Sequence, residues 1–181
     1  MKRLPLYLFL AIAVFSCGRK PDEKPPVTTS TPYGSPQEVA DFLNSIDPLV
    51  MQLNAIHQEL YQKVGTSGKA TGANLAPAME KGRPQLAEVL AQIEKLTPPP
   101  LLVPFHEQVK KVVRLRLDAY AQTLEGWRLE QGKAPEFESR YTLSEQYLSQ
   151  AQELGAELGA ERERIRTAMV AATPPPQAAS R

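Results

Sequence analysis

The sequence predicts an all-α protein, a four-helix antiparallel (up-down-up-down) bundle with a long C-terminal helix. Three observations carry this expectation. Apolar residues recur at steps of three and four through four successive segments, the spacing of one helical face. The segments are separated by short runs rich in glycine or proline, which favour antiparallel neighbours. No stretch alternates strictly between apolar and polar residues with turn chemistry at its ends, so no sheet is expected.

The first helix opens at Ser35-Pro36-Gln37-Glu38, a capping box with proline at the first helical position. Its apolar series runs Val39, Phe42, Leu43, Ile46, Val50, Leu53, Ile56, Leu60, Val64. Pro48 falls inside the series without shifting its phase and marks either a kink or a restart capped by Asp47. Gly65 is expected to close the helix, with a glycine-bearing loop from Thr66 to Gly72. The second series is Leu75, Met79, Leu86, Val89, Leu90, Ile93, Leu96; Gly82 and Pro84 interrupt it, and Pro98-Pro99-Pro100 stops it.

The third series is Leu102, Phe105, Val109, Val112, Val113, Leu117, Tyr120, Leu124, Trp127, ended by Gly132 and Pro135. The fourth is Phe137, Tyr141, Leu148, Ala151, Leu154, Leu158, Ile165, Met169. It predicts a helix from about Pro135 to Ala172, about 55 Å long, whose end projects or pairs with a second molecule. Within it Glu153-Leu154-Gly155-Ala156 repeats as Glu157-Leu158-Gly159-Ala160, placing Gly155 and Gly159 on one face. Glycine costs a helix up to about 1 kcal/mol against alanine, so close packing of a neighbouring helix is the expected reason for them. Trp127, Tyr141 and Tyr147 are expected to fill the core with their polar atoms at its margin.

The bundle, residues 35–172, sits between two segments of another character. Residues 1–16 have a basic start, Lys2-Arg3, followed by an apolar run from Leu4 to Phe15, and read as a secretory signal peptide. That run is shorter than the roughly 18 apolar residues a spanning helix needs. Cys17, the only cysteine, follows Val14-Phe15-Ser16, and the whole resembles the lipobox of bacterial lipoproteins, although Phe15 stands where that pattern has a small residue. The resemblance implies cleavage before Cys17, acylation of Cys17 and a membrane anchored through it. It implies a cell-envelope location, with Gly18 favouring the outer membrane if the source is Gram-negative. The alternative is an ordinary signal cut after Ala11-Ile12-Ala13. The resemblance is confined to that N-terminal segment and does not extend to the helices. Residues 18–34 hold Pro21, Pro25, Pro26 and Pro32 among serines and threonines, the composition of a disordered linker; Thr173 to Arg181 reads as a disordered tail.

Composition narrows the function. One cysteine allows no disulfide within the chain. Loss of Lys2 and Arg3 with the signal takes the formal net charge from +1 to −1, which offers nucleic acid no electrostatic footprint. Lys110, Lys111, Arg114 and Arg116 make helix three locally basic, with Glu107–Lys111 and Arg114–Asp118 spaced for pairing within the helix.

His57 and His106 are the only histidines, too few for a zinc site and not set in the Glu-x-x-His pairs of di-iron bundles. They are expected at core margins. An alternative has them hold a haem or a metal, with each other or one of them with Met51 or Met79. No Gly-x-Ser-x-Gly elbow or phosphate-binding loop occurs. The expectation is therefore a lipid-anchored, non-catalytic envelope protein, monomer or dimer, without metal or cofactor. It works by interaction with an envelope protein or, alternatively, carries a small apolar or haem-like ligand in its core.

Overall fold

The computed structural model describes residues 30–67 and 71–172. Cys17, the expected signal, most of the linker and the C-terminal tail lie outside them. The described chain is all-helical: α1 (Pro36–Ser67), α2 (Gly72–Glu94), a 3₁₀ turn (Pro100–Leu102), α3 (Val103–Gln131) and α4 (Phe137–Ala172). The last is the longest, at 36 residues. No helix among the described residues is long and apolar enough to cross a membrane.

The helix starts follow the sequence signals and the interruptions do not. α1 begins at Pro36, with the Val39 N–H bonded to the Ser35 carbonyl. It continues through Pro48 and past Gly65 to Ser67. Asp47 caps no restart; its carboxylate pairs with Arg162 of α4. α2 likewise runs unbroken through Pro77, Gly82 and Pro84. Tertiary packing supplies what local propensity lacks there. At the end of α3, Gly132 keeps an ordinary helical φ of −79° and Lys133 takes the left-handed conformation, φ 56°. The N–H groups of Gly132, Lys133 and Ala134 then cap the carbonyls of Arg128, Glu130 and Leu129.

Successive helices pack on one another, α3 on α4 most extensively, while α1 and α4 meet in few places. Val39, Ile46, Met79, Leu86, Val113 and Tyr120 are fully enclosed in the core. α4 contributes little: only Ser144, Ala151 and Ile165 of its residues are buried. Leu117, Trp127, Tyr141 and Tyr147, expected in the core, are half-buried. Among the described residues the buried aromatics are Phe42, Phe105 and Tyr120. The end of α4 does not project as expected. Ile165 is buried, Met169 packs on the core, and the preceding segment folds against it: Thr31 and Gly34 bond to each other in a turn that sets Tyr33 beside Glu161.

Candidate functional site

Glycines report how closely each helix pair approaches. A Cβ on Gly72 would stand 1.9 Å from the Tyr141 hydroxyl, and one on Gly126 2.8 Å from the same ring. A Cβ on Gly82 would stand 3.0 Å from Tyr120 and 3.3 Å from Ile56. These three glycines let tyrosines of α3 and α4 lie flat against neighbouring backbone. Gly155 and Gly159 do the reverse. A Cβ at either would meet nothing within 4 Å. The close packing expected from their repeat is absent, and both instead face an open seam between α1 and α4.

Two spaces lie along that seam. The larger, about 360 Å³, opens where the α1–α2 connection meets the start of α4. Leu60, Leu75, Met79 and Leu148 make it apolar, and His57, Tyr61, Glu130 and Tyr141 place polar groups at its edge. The smaller, about 180 Å³, lies between α1, α3 and α4 and is walled by Val50, Leu53, Phe105, Val109 and Leu158. At its mouth Arg162 grips Asp47 through two hydrogen bonds of 2.7 and 2.5 Å.

A buried polar cluster separates the two. The His57 ring stacks edge-on against Tyr61 at 4.5 Å, and its Nδ1 has no partner. Burial, with the nearby Arg116 charge, lowers its pKa to about 4. Arg116 is itself only 7% exposed. Its Nη1–H donates to the Leu53 carbonyl, while Nε is unpartnered. Burial pulls its pKa below the usual value. The Tyr120 hydroxyl is buried without a partner, and burial raises its pKa to about 12. By contrast, Thr123 and Ser144 bond to each other at 2.7 Å, and Ser144 also donates to the Ala119 carbonyl. Tyr141 donates to Glu130, and burial with that bond raises its pKa.

The structure separates the two histidines. His106 is enclosed, its Nε2 bonded to the Ile93 carbonyl at 2.8 Å and its ring edge-on to Phe42. Phe42 and His57 are fifteen residues apart on one helix, about 22 Å. One ligand cannot bridge the two rings. Met51 is 70% exposed, whereas Met79 lines the larger space with His57. Among the described residues no three of His, Cys, Asp and Glu gather as metal ligands.

The basic stripe of α3 is also revised. Arg116 points inward, Lys110 rather than Lys111 pairs with Glu107, and Arg114 reaches Glu94 of α2 instead of Asp118. The sequence held a signal for Arg116, which lies four residues after Val112 and four before Tyr120 and so falls on the apolar face. The chain matches no protein-family model, no curated protein and no solved structure.

Proposed function

We propose that this chain is a lipid-anchored, non-catalytic helical bundle of a bacterial cell envelope that carries a small, mainly apolar molecule between α1 and α4. The carrying observation is the 360 Å³ space beside His57. It falls within the roughly 300–1,000 Å³ of ordinary ligand pockets, apolar with a few convergent polar groups. It favours carriage over scaffolding, the other function expected of such a bundle. Catalysis is disfavoured because the Thr123 and Ser144 hydroxyls are engaged with each other and His57 has no hydroxyl on Nδ1.

The helices are arranged up-down-up-down. Four cross-helix contacts support this: Glu59 with Lys81, Ile93 with His106, Thr123 with Ser144, and Asp47 with Arg162. Each joins the late part of one helix to the early part of the next or, for α1 and α4, the start to the end. The anchor is acylated Cys17, supported by the lipobox-like Val14-Phe15-Ser16-Cys17.

Native mass spectrometry of the full chain extracted from membranes tests both parts. The expected spectrum shows acyl mass on Cys17, lost in Cys17→Ser, and a stoichiometric small molecule, lost in Leu148→Trp. An acylated chain whose wild type carries nothing and takes up no apolar probe overturns the carrier.

A further inference from the structure

Three features of the seam are not explained by holding the bundle together. Arg116 is a buried cation whose one hydrogen bond among the described residues goes to a backbone carbonyl, and no ion pair forms to it there. A buried charge is costly unless it is paired. Gly155 and Gly159 weaken α4 relative to alanine, and no neighbour needs the room they leave. The space they leave is apolar, about 180 Å³, and Arg116 stands in its wall.

We infer that this groove binds a single-chain anionic amphiphile, its alkyl chain lying along the glycine face of α4 and its charged head on Arg116. The inference goes beyond the carrier reading above and assigns a ligand class to the second, smaller space of the same seam. One occupant accounts for all three features. An alkyl chain fills the slot that side chains at 155 and 159 would otherwise close. A carboxylate or phosphate oxygen accepts from a guanidinium N–H that the Leu53 carbonyl leaves free, and neutralises a charge that a water molecule would leave in place. A guanidinium suits either head, since its planar donors match both.

The volume is suitable for something slender, because an apolar cavity of about 150 Å³ holds a molecule the size of benzene. Gly159 is exposed at the side of the slot, so a longer chain runs out along the α4 face away from Arg116. The other cation of this groove, Arg162, is already held by Asp47, so Arg116 alone receives the head.

Native mass spectrometry of the full mature chain, released from an uncharged detergent, tests this with four probes: palmitate, lysophosphatidate, hexadecanol and inorganic phosphate. The expected result is one-to-one binding of at least one of the two anionic amphiphiles, about tenfold or more tighter than hexadecanol, and no retention of phosphate. Which amphiphile wins separates a fatty acid from a phospholipid fragment. Arg116→Met should bring the anionic probes down to the level of hexadecanol. Gly159→Leu should abolish binding of every chain-bearing probe with helical circular dichroism retained, and it carries the test if Arg116→Met fails to fold. Equal binding of palmitate, lysophosphatidate and hexadecanol by the wild type overturns the role of Arg116 and leaves an apolar carrier. Binding of none of them, or retention of phosphate alone as an adventitious ion only, overturns the inference.

Discussion

The tyrosine-covered face of α2 and α3 and the glycine face of α4 on the α1–α4 seam use the same residue type and end in opposite states. On the first, Gly72, Gly82 and Gly126 lie under the rings of Tyr141 and Tyr120, so each missing side chain is replaced by a neighbour's. On the second, Gly155 and Gly159 face nothing, and Arg116, His57 and Tyr120 leave polar atoms without partners. A packed region lowers free energy by matching every surface. A region with open glycines and unpaired buried groups holds less stability and more capacity to bind. That difference, rather than any sequence motif, is what supports the proposed ligand site.

Four measurements sharpen or break the comparison, beginning with the largest effect. Val113→Asp places a charge in the closed core, where the native residue is fully buried. Its unfolding free energy should fall by about 4 kcal/mol or more in urea denaturation. Leu158→Asp, on the half-buried seam, should lose much less. Equal losses would mean that the seam is as closed as the core.

Gly126→Ala tests the closed face with a single methyl group. Its Cβ would fall 2.8 Å from the Tyr141 ring, so alanine's better helix propensity is outweighed. The expected loss is about 1–3 kcal/mol. A stabilised Gly126→Ala would show that Tyr141 moves aside freely and that the face is not tight.

The third measurement uses pH. His57 is neutral in the fold, with a pKa near 4, below its ordinary 6.5. As pH falls through 6.5 the unfolded chain takes up a proton that the folded chain refuses until about pH 4. Stability should therefore decline between about pH 6.5 and 4 and stop declining on this account below that. Discounted for the ring's partial exposure, the expected loss is about 1–2 kcal/mol. His57→Phe should flatten this part of the profile. An unchanged slope in that variant would assign the decline to other groups.

Gly155→Ala carries the smallest effect and the opposite sign. With nothing within 4 Å of the new methyl group, helix propensity decides, and the midpoint should rise by up to about 1 kcal/mol equivalent. The rise should not depend on protein concentration. A loss would reveal a backbone crossing at this face, and a concentration-dependent loss would place it between molecules.

Much of the fold could be read before any coordinates. The starts of α1 and α3, the long α4 and most core positions, from Val39 and Ile46 to Val109 and Val113, follow from spacing, capping and proline runs. The misreadings share one cause. Pro48, Gly65, Gly82 and Pro84 look like interruptions because local signals weigh each residue by its own backbone preference. The helices run through all four, and at Gly82 Tyr120 and Ile56 of neighbouring helices pack against the turn. Of the candidate site, His57 could be picked out as a lone titratable group on an apolar face. Arg116 could not be separated from the exposed lysines beside it by charge alone, although its position relative to Val112 and Tyr120 places it inward.

By itself, then, the sequence determined a helical chain with its main apolar stripes, because periodicity and capping act within a few residues. Only the tertiary structure decided which glycines are filled and which are empty, that Arg116 and His57 share one seam, and that His106 belongs to another part of the core. Each of those is a relation between helices distant in sequence. Helical spacing states which face a residue is on, but not what stands opposite.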